Sequence, residues 1–155
     1  VNTSVFQNVM DEAVRKCLAH VQAGGLPFVG VVVDGAEVIS GFGVNRVRET
    51  RDHTAHAEVV AMRDAMASRG RTELSGATLL ATGEPCGLCY RFALDHGIES
   101  IHVAVDRDEA AAWGFDYRAS YPAFGISDTR RAEVYHHLPT EHGLEPFARY
   151  RQTII

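Results

Sequence analysis

Two short stretches of the chain combine soft metal ligands with a carboxylate: His56-Ala57-Glu58, and Pro85-Cys86-Gly87-Leu88-Cys89. Each is a weak signal alone. Together they offer one imidazole and two thiolates, a set suited to Zn²⁺ that leaves one of the four tetrahedral positions open. Zinc in such a site lowers the pKa of water in the open position from 15.7 to about 7, which makes a nucleophile available at neutral pH. Glu58 follows His56 by two residues, projects in a different direction, and is free to handle protons. Two other readings stand beside this one. A closed structural site would take a fourth ligand from Cys17 or His53, and a thioredoxin-like redox pair would give His56 and Glu58 no role.

The elements that must position these groups can be read from apolar spacing. Val5, Phe6, Val9, Met10, Ala13, Val14, Cys17, Leu18 and Val21 draw one stripe on a first helix, with Ser4 and Gln7 as a capping box and Gly24-Gly25 as the stop. Cys17 lies in that stripe and reads as a core thiol. Residues 28–33 form an apolar strand, Asp34-Gly35 signals a hairpin, and 37–42 returns as its partner. A second helix is expected over 54–69 with Thr54 as its cap, a buried strand over 77–82, a third helix over 86–96 and a strand within 98–105. Beyond Asp106 the pattern weakens to a helical piece at 108–112, an irregular loop to 128, a strand at 133–137 and a helix from Leu144. The sum is a mixed sheet flanked by helices, an α/β layer fold. Two strand-to-helix junctions can then bring the helix N-termini, with their ligands, to one edge of the sheet.

The chain has 155 residues, 46% of them hydrophobic and 23% charged, which suits one domain over 1–155 and excludes two full ones. Lys and Arg total 15 against 20 for Asp and Glu, and the net charge of -5 disfavours a nucleic-acid partner. No apolar run approaches the roughly 20 residues that span a bilayer. Val1-Asn2-Thr3-Ser4 lacks the cationic and apolar blocks of a secretory leader, and the three cysteines are not the even set of a disulfide-stapled domain. A cytoplasmic protein is expected.

Thr54-Ala55-His56-Ala57-Glu58 and Glu84-Pro85-Cys86-Gly87-Leu88-Cys89 resemble the two signatures of the cytidine deaminase-like superfamily, whose zinc deaminases carry H-x-E and P-C-x-x-C. The resemblance covers almost the whole chain. It is closest to the guanine deaminase and tRNA adenosine deaminase branch through Gly25-Leu26-Pro27-Phe28, Asn45, Asp52-His53 and Gly114-Phe115-Asp116, and Thr140-Glu141-His142 with Pro146-Phe147 is similar to the tail of bacterial guanine deaminases. It implies a three-layer α/β/α fold with a mixed β-sheet of about five strands. It also implies one Zn²⁺ per chain on His56, Cys86 and Cys89, and Glu58 as the shuttle that moves a proton to a ring nitrogen and helps the amine leave as ammonia. Asn45 and the backbone NH of Ala57 would hold the base, Phe28 would stack on it, and Asp116 and Tyr117 would stand at the pocket entrance. A homodimer with helices beside the active site at the interface is implied as well.

Several positions depart from the branch. His53 replaces its usual proline, Tyr117 stands where guanine deaminases commonly have a second acid, Tyr90-Arg91-Phe92 follows the second cysteine, and the chain ends in Ile154-Ile155 rather than an aromatic residue. Trp113 and Tyr121 are further candidates for the pocket wall, and Glu84 for either a hydrogen-bond acceptor beside the metal or a structural salt bridge. The leading expectation is a hydrolytic deaminase of a free aminated base, guanine by default, with azacytosine-like or aminotriazine rings as rivals. A tRNA adenosine deaminase and a zinc-stabilised scaffold without catalysis are the alternatives.

Overall fold

A six-stranded sheet runs through the middle of the computed structural model, which describes residues 3–153. The Ile154-Ile155 departure and the first two residues of the leader reading lie outside the described residues. In chain order the elements are α1 (Thr3–Gln22), β1 (Val29–Asp34), β2 (Glu37–Val38), β3 (Gly43–Val44), α2 (Val47–Thr50), α3 (Ala57–Arg69), β4 (Thr78–Gly83), α4 (Gly87–Asp95), β5 (Ser100–Val105), α5 (Arg107–Ala112), α6 (Ser120–Ala123), α7 (Asp128–Val134), β6 (Tyr135–His137) and α8 (Glu145–Thr153). Strand order is β2-β1-β4-β5-β6, with β3 also on β1. β1 pairs antiparallel with β4, and β4, β5 and β6 run parallel. No helix of the described residues is long and apolar enough to cross a membrane.

Period-two alternation separates two cores. Val29, Val31 and Val33 of β1, with Leu80 and Ala104, pack against the α1 stripe of Phe6, Val9, Met10, Ala13, Val14 and Cys17. On the opposite face Val32, Leu79, Ile101 and Val103 meet Val59, Met62 and Ala65 of α3 and Tyr90 and Ala93 of α4. Helices on both faces of a mixed sheet give the expected three layers. Cys17 is fully buried and takes a hydrogen bond from Thr82 Oγ1 at 3.7 Å, and burial pushes its thiol up to about 12. It is a core residue.

Four local expectations are corrected. The capping box at Ser4 fails because that residue is already inside α1. The return strand 37–42 is broken: β2 and β3 pair separately with β1, and between them Val32 N–H donates to Ser40 Oγ instead of a backbone carbonyl. Thr54 does not cap the second helix, because its N–H and hydroxyl both donate to Asp52 Oδ1, at 2.9 and 2.6 Å, and the cap falls to His56. The stretch read as an irregular loop to 128 contains α6.

The broken return strand has a structural consequence. A Cβ on Gly43 would stand 2.4 Å from the Ala57 carbonyl oxygen and 2.7 Å from Ala61 N, and one on Gly30 would stand 2.9 Å from Glu58 Cα. Two bare backbone positions thus let the first turn of α3 sink onto the sheet. Gly43→Ala should force strand and helix apart and lower the unfolding free energy by about 1–3 kcal/mol, the usual range for overpacking. An unchanged urea midpoint would show that the close approach is dispensable.

Candidate active site

His56 and Cys86 occupy equivalent places. Each is the N-cap of a helix, α3 and α4 respectively, with extended backbone (φ -70°, ψ 158° and φ -72°, ψ 176°) and a side chain that makes no capping hydrogen bond. An N-cap residue usually spends its side chain on the helix's free NH groups. Here both are turned toward a common point instead, joined by Cys89 from the first turn of α4. His56 Nδ1 lies 3.4 Å from Cys86 Sγ and 3.5 Å from Cys89 Sγ, and the two sulfurs are 3.8 Å apart. A tetrahedron with metal–sulfur bonds of about 2.3 Å and metal–nitrogen bonds of about 2.0–2.1 Å has edges close to these distances. The three residues therefore fit zinc, with one position left for a non-protein ligand. Neither Cys17 nor His53 approaches the cluster, so among the described residues it has no fourth protein ligand.

A cavity of about 170 Å³ opens over this cluster, lined by His56, Ala57, Glu58 and Cys86 on one side and by Leu26, Phe28, Asn45, Phe115 and Tyr117 on the others. Glu58 is 4% exposed, and its Oε2 has no hydrogen-bond partner among the described residues. Ala57 is the first residue of α3, so its N–H is one of the helix's orphan donors, and the residue lines this cavity. Asn45 Oδ1 accepts from Val47 N at 3.1 Å, so the side chain both ties the turn that follows and lines the cavity. Phe28 packs edge to face with Phe115, Tyr117 and Phe147, at ring separations of 5.2, 6.1 and 5.5 Å, and is wall and core at once.

Asp116 is not brought to the cavity. It is exposed and held by Arg118, whose hydrogen bonds pull its carboxyl down to about 2. Trp113 packs under the Arg151 guanidinium, and Tyr121 is buried beneath the loop before α4. Glu84 resolves as a structural salt bridge: Arg131 donates two bonds to its buried carboxylate at 2.6 and 2.9 Å, Tyr90 OH a third at 2.6 Å and Arg107 N a fourth at 2.8 Å. Arg131 carried no local signal in the sequence, since its contact with Glu84 spans 47 residues. Leu26 and Phe115 sit beside motif residues and could have been named as walls from that adjacency.

The electrostatics follow from burial and from the sulfur pair. Burial first, and the Cys86 charge second, push Glu58 up to about 7. Cys86 is lowered to about 4, chiefly by its hydrogen bond with Cys89, while Cys89 is raised by the same bond and by its deeper burial. Cys86 is therefore the more acidic sulfur of the pair and Cys89 the one that holds its proton more tightly. His56 is raised, first through its hydrogen bond with Cys86.

Residues 3–105 match the family described as the cytidine and deoxycytidylate deaminase zinc-binding region. A guanine deaminase from Bacillus subtilis is 33% identical over 148 residues, 94% of this chain and 93% of that protein. The X-ray structure of a guanine deaminase from Bacillus subtilis superposes with a TM-score of 0.70 at 29% identity, covering 98% of this chain and 95% of that one. A tRNA(Ile)-lysidine synthase from Deinococcus deserti is 34% identical over 110 residues, 71% of this chain, but the chain spans only 21% of its length.

The protein should hold one zinc per chain, and uptake near pH 7 should release at least one proton, that of Cys89. Ligands must shed protons to bind metal, so affinity should fall as pH drops, by about tenfold per unit for each proton displaced. Calorimetry in buffers of different ionisation enthalpy, with elemental analysis, checks both. Zinc binding without proton release would place the metal elsewhere.

Proposed function

The chain belongs to the cytidine and deoxycytidylate deaminase zinc-binding family, and we propose that it is a hydrolytic deaminase of a free aminated nucleobase, guanine-like by default, that releases ammonia. The observation that carries this reading is the buried Glu58 carboxyl, its Oε2 without a partner among the described residues, beside a three-ligand metal site in a small cavity. The similarity to a guanine deaminase along nearly all of both chains supports it.

Zinc, when bound, acidifies a water and so supplies a nucleophile at neutral pH. Glu58 performs the proton work: Oε2 takes a proton as the nucleophile forms and delivers it to the ring nitrogen next to the reacting carbon, then takes the proton of the added hydroxyl and passes it to the amine, which leaves as ammonia while the carbonyl forms. A carboxyl held near 7 suits both directions of transfer. The Ala57 N–H and the amide nitrogen of Asn45, whose oxygen is already engaged by Val47, donate to a carbonyl and an adjacent ring nitrogen. Leu26, Phe28 and Phe115 exclude water and hold the flat ring. A cavity of about 170 Å³ is small against the roughly 300–1,000 Å³ of sites for drug-sized ligands, which favours a bare base over a nucleoside.

Tyr117 sharpens the choice of base. Its hydroxyl donates to the Glu84 backbone carbonyl, and burial raises its ionisation well above the ordinary range. It offers a ring NH at most a neutral lone pair where a carboxylate is usual. Guanine is thereby the default substrate without being a privileged one, and aza-substituted bases and aminotriazines are its rivals. The enzyme is further proposed to be a cytoplasmic homodimer with α3 and α4 near the interface, on the strength of the family resemblance.

Two experiments test these readings. Glu58→Gln should keep zinc and fold yet lose about 10²-fold or more in ammonia release from free bases. Near wild-type turnover removes Glu58 from the chemistry, and turnover by the wild type of cytidine or a tRNA stem-loop, with none of any free base, overturns the substrate class. Light scattering should report twice the 17.0 kDa of one chain, and a 17.0 kDa species at micromolar concentration would contradict the dimer.

A further inference from the structure

Three polar backbone groups flanking Cys86 are each held by a side chain from one short segment. Tyr117 OH donates to the Glu84 carbonyl, Tyr121 OH donates to the Pro85 carbonyl, and Gly87 N–H donates to Ser120 Oγ at 2.7 Å. Ser120 Oγ in turn donates to the Tyr117 carbonyl at 2.6 Å, which ties the segment to itself. The two backbones touch: a Cβ on Gly87 would stand 2.2 Å from the Ser120 carbonyl oxygen. The segment is itself anchored. The Tyr121 ring, 2% exposed, lies 5.4 Å from Tyr90 and beneath the Arg107 guanidinium at 4.5 Å. The Glu84 side chain is fixed from the other side by Arg131, Tyr90 and the Arg107 N–H.

We propose that Tyr117, Ser120 and Tyr121 are positioning residues that clamp the backbone of residues 84–87 so that Cys86 Sγ stands at ligand distance from His56 and Cys89. The proposal rests on those three residues forming the metal site. Cys86 sits at an N-cap with no capping bond of its own, so its direction is set by the backbone on either side. Both carbonyls before it and the N–H after it are spoken for by the clamp. Tyr117 has a second face, because its ring is also a wall of the substrate cavity. It thus links the substrate's seat to the ligand loop, and a carboxylate in its place would withdraw the donor from the Glu84 carbonyl.

The test measures metal binding, not turnover. Tyr117→Phe and Tyr121→Phe remove only a hydroxyl; each should weaken Zn²⁺ binding by about tenfold in chelator competition, the lower end of what outer partners of metal ligands contribute. Each should also shift the thiolate-to-metal and visible bands of the Co²⁺-loaded protein. Val9→Ala, on the buried stripe of α1, should lower the melting temperature and leave affinity and spectrum unchanged. If Tyr121→Phe fails to fold, Ser120→Ala takes its place under the same criteria. Wild-type affinity and an unaltered Co²⁺ spectrum in these variants overturn the clamp alone, whereas wild-type protein that takes up neither ion overturns the metal site and the clamp with it.

Discussion

Two helices that start 30 residues apart must deliver three ligand atoms to within 3.4–3.8 Å of one another, and much of the fold's irregularity serves that demand. A regular hairpin would carry β1's partner straight past the start of α3. Instead the strand breaks between β2 and β3, and Gly43 and Gly30 leave room for the first turn of α3 against the sheet. The cost is a strand of two short pieces at the sheet's edge. The gain is that His56 and Cys86 both become N-caps whose side chains are free for a ligand, in the field of two helix N-termini that favours thiolate.

The same demand accounts for a buried carboxylate. Removing the Glu84 charge from water is expensive by several kcal/mol unless the carboxylate is paired and hydrogen-bonded. It receives four hydrogen bonds, two of them from one guanidinium. Such a pair contributes little net stability over apolar packing. What it does supply is orientation: Tyr90 from α4, Arg131 from α7 and the start of α5 are drawn to the residue that precedes Pro85-Cys86. Glu84 is thereby the point at which the C-terminal third of the chain is tied to the metal loop.

The parts of the fold that could be read in advance are those governed by local periodicity. The α1 stripe, the valine run of β1 and the stops at Gly70 and Gly97 depend on neighbours within a turn or two, and all appear near their expected places. The misreadings share a cause. Thr54 has the right chemistry for a cap, but Asp52 and Arg63 outcompete the helix for it. The residues before Asp128 lack periodicity because α6 is one short turn fixed by contacts with the loop before α4, not by an apolar stripe of its own. Asp116 matched a motif, yet Arg118 two residues on holds it at the surface.

The ligand chemistry was legible in the chain: one imidazole, two thiols with two residues between them and a carboxylate beside the imidazole point to a soft metal such as zinc with an acid-base group at hand. Ligand identity is a property of side-chain type, and type is written in the chain. Tertiary structure alone decided how that chemistry is confined. Glu58 has its carboxyl raised chiefly because packing removes water around it, Tyr117 presents a neutral wall to the cavity with its hydroxyl donating to the Glu84 carbonyl, and Arg131 reaches Glu84 only because folding carries it across 47 residues. Each of these depends on which distant atoms exclude water or share a proton, and no spacing along the chain encodes that.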